Sequence, residues 1–130
     1  MTNLRKHVTQ MTNAERMAVE SYAHKLGSYQ WALNPHVAER KAKWSLSDVD
    51  IVNALRYGTV VEAHANNWPD VRFVLRYTRD NRAVCVCANL KGEVITVWAN
   101  NASDNHRTLD RSQYQWKENL INVFGTAKVV

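Results

Sequence analysis

A histidine and an arginine four residues apart, His36 and Arg40, carry side chains suited to acid–base and phosphate chemistry. Cleavage of RNA without a metal needs a group that titrates near neutral pH and a cation that holds the phosphate. On a helix the two side chains share one face, and His36 lies in the first turn, where an anion is favoured. We therefore predict His36 and Arg40 as catalytic residues. The alternative is a solvated or helix-packing pair without chemistry.

Four arginines lie on or next to a predicted hairpin of two strands. Arg72 and Arg76 project from one face of the first strand, and Arg79 and Arg82 flank the turn that follows it. We predict that all four bind RNA. The alternative is an ordinary solvent-exposed sheet face, which needs polar residues in any case. Two nearby aromatic residues are candidates for base stacking, although such residues more often lie in a core: Tyr77 and Trp98.

The polar stretch after the last predicted strand, residues 100–107, ends in His106 and Arg107. A loop presents such side chains without a burial cost. We therefore predict His106 as a second catalytic candidate and Arg107 as an RNA-binding residue. His64, at the end of the first predicted strand, ranks third among the candidate bases. His7 and His24 are expected at the surface.

Length and composition limit the class of protein. The chain has 130 residues, 45% of them hydrophobic, and a formal net charge of +5. We expect one domain, residues 1–130, with a core that is stable without disulfides or a structural metal. No long apolar run predicts a membrane span, and the N-terminus lacks an apolar signal core, so we expect a cytoplasmic protein without a membrane partner. The positive charge favours polyanionic partners or serves solubility alone.

Cys85 and Cys87 lie two residues apart in an apolar run. In a strand they project from one face, too far apart for a comfortable disulfide. We predict buried, reduced thiols. A Cys-x-Cys pair can supply two zinc ligands, but no second pair at suitable spacing accompanies it, so we expect no metal and no cofactor.

Helical patterns fill the first part of the chain, about residues 12–58. Thr12 and Glu15 form a capping box before a helix at 13–26, Pro35 begins a short helix to about residue 43, and Ser47 caps a third helix that ends at Gly58. The expected inner stripe of the third helix is Val49, Val52 and Leu55. A C-terminal helix is expected at about 111–124.

Extended patterns follow at about residues 59–100. Four runs read as strands: 59–64, 71–78, 83–88 and 93–99. The turns between the last three are too short for crossover helices, so these strands form an antiparallel meander. The sequence therefore predicts an α+β fold, with N-terminal helices packed on a roughly four-stranded antiparallel sheet and a C-terminal helix.

The order His36-x-x-x-Arg40, then Leu46-Ser47-x-x-Asp50-Ile51-x-x-Ala54-Leu55-x-x-Gly58, then a meander, resembles a family of small bacterial and phage domains. That family is placed near the RelE-like ribonuclease toxins, in the group with barnase, EndoU and the tRNase colicins. The similarity covers about residues 34–100. It implies a toxin-type fold and RNA cleavage, with His36 and Arg40 as the matched residues suited to catalysis. The helix before residue 34 and the stretch after residue 100 depart from the pattern.

Two classes of function follow. The first is a metal-independent endoribonuclease that acts on ribosome-bound mRNA or tRNA, with a protein partner such as an antitoxin or a host target. The alternative is a non-catalytic phage or bacterial protein that binds or inhibits a host protein or nucleic acid, and plain RNA or DNA binding lies between the two. The sequence has no glycine-rich phosphate loop, no nucleophile elbow and no HExxH helix, so nucleotide hydrolysis, acyl transfer and zinc proteolysis are not supported.

Overall fold

Five antiparallel strands form one sheet in the order in which they follow along the chain. The computed structural model describes residues 4–27, 35–67, 70–101 and 114–124, and for residues 66 and 67 the backbone alone. The strands are β1 Arg5–His7, β2 Thr59–Asn67, β3 Asp70–Arg79, β4 Arg82–Asn89 and β5 Val94–Asn101. The helices are α1 Asn13–Gly27, α2 Pro35–Trp44, α3 Asp48–Tyr57 and α4 Leu120–Phe124, and a 3₁₀ turn spans Val8–Gln10. The predicted α+β class and the predicted meander of the last three strands are confirmed.

The expectation of four strands misses β1. This three-residue strand pairs antiparallel with β2, with Lys6 opposite Ala63. A short strand rich in charge gives no alternating apolar pattern, and its pairing partner lies more than fifty residues away. Lys6 is nonetheless buried, because its ammonium reaches a carboxylate of α1. The sheet therefore begins at the N-terminal segment rather than at residue 59.

The predicted caps are present. Thr12 Oγ1 accepts a hydrogen bond from the Glu15 N–H at 3.1 Å, and Glu15 Oε1 accepts one from the Thr12 N–H at 2.9 Å. Ser47 forms the same reciprocal pair with Asp50 at the start of α3. The expected inner stripe of α3 is wrong at Val49, which is 61% exposed. The buried residues of α3 are Ile51, Ala54 and Leu55, a stripe spaced three and four residues apart.

The expected C-terminal helix is also too long. Residues 111–113 lie outside the described part, residues 114–119 are not helical, and α4 occupies only Leu120–Phe124. The segment 114–117 runs beside β1 instead, where the Trp116 N–H donates to the Arg5 carbonyl at 2.9 Å. This position buries Trp116, so the apolar spacing that predicted helix reflects packing of an extended segment.

The sheet has two faces with different neighbours. On the helical face, side chains of β2 to β5 such as Phe73 and Val86 join residues of all four helices in one large core. The second face carries a smaller buried cluster formed by Val61, Val74, Cys85 and Cys87. Both cysteines are buried thiols outside any disulfide, as predicted. No helix in the described ranges is long and apolar enough to cross a membrane.

Candidate functional site

A bulge in β2 turns polar side chains toward the second face. Val60 pairs with Leu75, whereas Glu62 pairs with the next residue of β3, so Val61 is an extra residue on β2. A bulge of this kind shifts the alternation by one position. Val60 therefore stays in the helical-face core, while Glu62 and His64 lie on the second face. Without the extra residue, strict alternation from Val60 would send both polar side chains into the core.

His64 lies between two arginines on that face. Its partner in β1 is Arg5 and its partner in β3 is Arg72. Directly opposite residues of neighbouring strands share a face and have Cβ atoms about 5 Å apart. We call these three residues the His64 row. His64 is half-buried, and the Arg72 side chain retains 35% of its exposure.

Acidic and phenolic groups hold the arginines of the His64 row. Arg5 Nη2 donates to both carboxylate oxygens of Glu62 at 2.8 Å. The same nitrogen donates to the Tyr114 hydroxyl at 3.3 Å, and the guanidinium carbon lies 4.8 Å from the Tyr114 ring centroid. Arg72 Nε donates to Asp70 Oδ2 at 3.1 Å. The arginines are therefore positioned before any ligand binds.

The environment favours the uncharged forms of His64 and Tyr114. Burial lowers the pKa of His64 below 6.5, and the charges of Arg5 and Arg72 lower it further, against the opposing charges of Glu62 and Asp70. The neutral imidazole therefore predominates at pH 7. Burial raises the pKa of Tyr114, as does its hydrogen bond with Glu62, so its hydroxyl keeps its proton. A neutral imidazole is a proton acceptor, and a phenol is a donor.

His36, the first candidate from the sequence, lies at the opposite edge of the sheet. Helix α2 packs against β5, and His36 Nε2 is 3.2 Å from Thr96 Oγ1. Thr96 pairs with Cys87 of the second face, so His36 reaches the same face as Arg72. Thr96 lies three strands across the sheet from β2, in the row of Glu62, so it is more than about 14 Å from His64 at strand spacing. Arg40, on the next turn of α2, is half-buried, and its Nε has no hydrogen-bond partner among the described residues.

Arg76 and Trp98 share the second face. Arg76 pairs with Cys85, which in turn pairs with Trp98. Trp98 is half-buried there and packs against the small cluster. Tyr77 instead packs against the helical-face core, with its ring 6.5 Å from that of Tyr57. Of the two stacking candidates, only Trp98 therefore lies on the arginine face.

Arg79 and Arg82 contact the helices at the far end of the β3–β4 hairpin. Arg79 Nη1 is 3.8 Å from Asp50 Oδ1, and Arg82 donates to the carbonyl of Trp44, the last residue of α2. Both arginines line a cleft of about 230 Å³ between the hairpin and the α2–α3 turn. His106 and Arg107 lie outside the described residues. Within the described ranges, no three His, Cys, Asp or Glu side chains are arranged to hold a metal ion.

No protein-family model matches the chain, and no curated protein or solved structure is significantly similar to it. The resemblance to RelE-like toxins therefore stays a prediction.

The sequence-based search did not single out Arg5, Glu62 or Tyr114, and it ranked His64 behind His36. One signal was available in the alternation Glu62-Ala63-His64-Ala65, where small residues occupy every second position. Alanines alternate with charged residues when a strand lies under a packed layer on one side. Val60, Ala63 and Ala65 all face the helical core, although strict alternation would place Val60 on the face opposite to Ala63. This departure from alternation marks the bulge.

Proposed function

We propose that the chain is a metal-independent endoribonuclease whose catalytic centre is the His64 row. The observation that carries the proposal is the position of a half-buried histidine, poised in its neutral form, directly between two arginines on one sheet face. Metal-free phosphodiester cleavage needs a base and fixed cations in this relation. As a toxin-type enzyme, the protein would act on ribosome-bound mRNA or tRNA and be held in check by an antitoxin.

The proposed reaction is an internal transfer at the scissile phosphate. His64 takes the proton of the ribose 2′-hydroxyl, and the 2′-oxygen forms a bond to phosphorus. Arg72 and Arg5 stabilise the negative charge that grows on the non-bridging oxygens. The bond from phosphorus to the 5′-oxygen breaks, and this oxygen takes a proton from the Tyr114 hydroxyl or from water. The products are a 2′,3′-cyclic phosphate and a 5′-hydroxyl end.

The other polar and aromatic residues of the second face are placed to contact an RNA strand that lies along the sheet. Arg76 lies four residues from Arg72 on the same strand, about 13 Å away at a rise of 3.3 Å per residue. Trp98 offers an aromatic surface two strands from Arg76, across Cys85, and His36 lies at the β5 edge. In this proposal, His36 and Arg76 bind the chain of the substrate rather than the scissile phosphate.

One observation favours the alternative, a non-catalytic binding protein. Both cations of the row already have carboxylate partners, Arg5 with Glu62 and Arg72 with Asp70. Such pairs are common structural features of sheet faces. A binding protein predicts contact with RNA or a host protein, but no turnover.

The decisive experiment is cleavage of a labelled single-stranded RNA in the presence of EDTA, with analysis of the product ends. We expect His64→Ala to lower the rate by about two orders of magnitude or more, and Arg72→Ala by a comparable factor. The matched controls are His24→Ala and Arg16→Ala, which remove an exposed histidine and an exposed arginine from α1. Both should cleave at the native rate.

The outcomes separate the hypotheses. A large loss in His36→Ala with little loss in His64→Ala would move the catalytic centre to α2. No cleavage by the native protein would leave the binding protein as the better account. Induced expression gives a test in cells, because the nuclease predicts growth arrest that His64→Ala relieves, whereas a binder predicts the same growth for both forms.

A further inference from the structure

Helix α3 presents two large apolar side chains to solvent, on the side turned away from the core. Val49 and Tyr57 are each 61% exposed, and they lie eight residues apart, slightly more than two helical turns. Val52 lies between them and is half-buried. We call the residues on this side the α3 stripe: Val49, Val52, Asn53, Arg56 and Tyr57. Single exposed apolar residues are common, but a set aligned along one side of a helix is typical of a contact surface.

The α3 stripe is flanked by opposite charges at the two ends of the helix. Asp48 is the first residue of α3, and Arg56 lies eight residues later in its last turn. The Asp48 carboxylate contacts Lys41 and keeps 63% of its exposure, so it can accept from a second cation. Arg56 is exposed, and its guanidinium carbon lies 5.6 Å from the Tyr57 ring centroid. Each end of the helix therefore presents a charge next to a large apolar side chain.

We propose that the α3 stripe is the interface of a homodimer, in which the α3 helices of two copies pack antiparallel about a two-fold axis. The charged pair and the exposed apolar pair have the same separation of eight residues, with midpoints at Val52 and Asn53. An axis near these midpoints brings Tyr57 of one copy beside Val49 of the other. It also brings Arg56 beside the other copy's Asp48, and the symmetry repeats both contacts. Antiparallel packing further places opposite ends of the two helix dipoles together.

The equal spacing of the two pairs favours a second copy over a different protein as the partner. An unrelated partner needs only a matching surface of its own, whereas a two-fold interface must be complementary to itself. A helix of ten residues offers less than the roughly 800 Å² per partner of a standard interface, so the dimer is expected to be weak. Helix α3 packs on the helical face of the sheet, so the dimer leaves the His64 row accessible and does not depend on the proposed nuclease.

Sedimentation velocity between about 5 and 500 μM tests the proposal, because the native protein should shift from one chain toward two as its concentration rises. Asp48→Lys and Arg56→Glu each turn both charged contacts into like-charge contacts, so each should weaken association about tenfold or more. An equimolar mixture of these two variants should dimerise again, because one copy then supplies both cations and the other both anions. The matched controls are Glu39→Lys on α2 and Arg16→Glu on α1, which change exposed charges outside the stripe and should associate like the native protein.

A native protein that stays monomeric over this range would overturn the dimer, as would single variants that associate like the native protein. Failure of the mixture to associate would overturn the antiparallel arrangement. Val49→Gln provides a second variant in case Asp48→Lys unfolds, because it removes an apolar contact and leaves both charges in place. We expect Val49→Gln to weaken association, and unchanged association in both Val49→Gln and Arg56→Glu would overturn the interface.

Discussion

A buried ion pair fixes the strand that carries Arg5. Glu15 of α1 is 4% exposed, and its Oε2 lies 2.5 Å from Lys6 Nζ of β1. The same oxygen accepts from the Leu120 N–H at 3.0 Å, and Oε1 accepts from the Thr12 N–H at 2.9 Å. One carboxylate thus joins β1, α1 and α4. The perturbation that tests its importance is Glu15→Ala.

The expected loss of folding stability follows from the buried groups that lose their carboxylate partner. Loss of one partner of a buried ion pair costs about 3 to 5 kcal/mol, because the remaining charge is buried without compensation. Here Lys6 loses its carboxylate, and the N–H groups of Thr12 and Leu120 lose a charged acceptor. At about 4 °C per kcal/mol for a chain of this size, the melting temperature should fall by roughly 12 to 20 °C.

Thermal and urea unfolding measure this change. The control is Glu39→Ala, an exposed carboxylate on α2, for which we expect less than about 0.5 kcal/mol. The double variant Lys6→Met with Glu15→Leu removes both charges, and it should be more stable than Glu15→Ala alone. A double-mutant cycle gives the coupling between the two residues. Lys6 follows Arg5 directly in β1. Loss of the carboxylate that holds Lys6 should therefore also displace Arg5 of the His64 row, and Glu15→Ala should lower RNA cleavage.

The pH dependence gives an independent check. Burial opposes ionisation of Glu15, but hydrogen bonds from Lys6, Thr12 and Leu120 outweigh it and hold the pKa below 4.5. A carboxyl whose pKa is lowered on folding stabilises the protein above its unfolded pKa. This stability should therefore be lost as the pH falls below about 4.5, and Glu15→Ala should flatten that part of the curve. A loss under 1 kcal/mol, or an unchanged acid limb, would refute the reasoning.

Three further predictions concern other groups. Burial raises the pKa of Cys87 to about 12, so native protein at pH 8 should react with a thiol reagent far more slowly than protein in urea, and fast labelling would contradict the buried position. If His64 is the base, cleavage should decline as the pH falls through a midpoint below 6.5, and Arg72→Ala should move that midpoint upward because it removes a charge that lowers the pKa of His64. Gly92 has a φ of +82°, so Gly92→Ala should cost about 1 to 2 kcal/mol by urea unfolding, whereas no loss would argue against this turn geometry.

Local signals in the sequence were sufficient for most elements. The capping box at Thr12 and the Ser47 cap each involve residues three apart, and such short-range chemistry can be recognised without a fold. The alternation of Val71, Phe73 and Leu75 predicted the correct face of β3 for the same reason. The predictions failed where contacts between distant segments determine the secondary structure. β1 and the segment 114–117 owe their extended form to pairing: β1 has no periodic pattern of its own, and the apolar spacing of the second segment indicated a helix instead.

The candidate site depends on the register between strands, which a periodic sequence pattern does not reveal. Arg5, His64 and Arg72 come from three strands, and Tyr114 comes from a segment more than forty residues beyond the last of them. Spacing rules find pairs such as His36 and Arg40 because both lie on one helix. They cannot find a row across strands, since its members are related by register. Each additional strand in the row adds another register that the sequence leaves open.

The bulge at Val61 is the feature on which the whole arrangement depends. It is the reason that Glu62 and His64 share a face with Arg72, whereas Val60 and Ala63 remain in the core. A regular β2 that kept Val60 in the core would place His64 and Glu62 on the helical face, away from Arg5 and Arg72, at a cost of several kcal/mol for the unpaired charged group. The sequence therefore favours the bulge through burial alone. The consequence is that the fold itself places the half-buried histidine between two arginines, so that the chemistry proposed for this face requires no further change in the backbone.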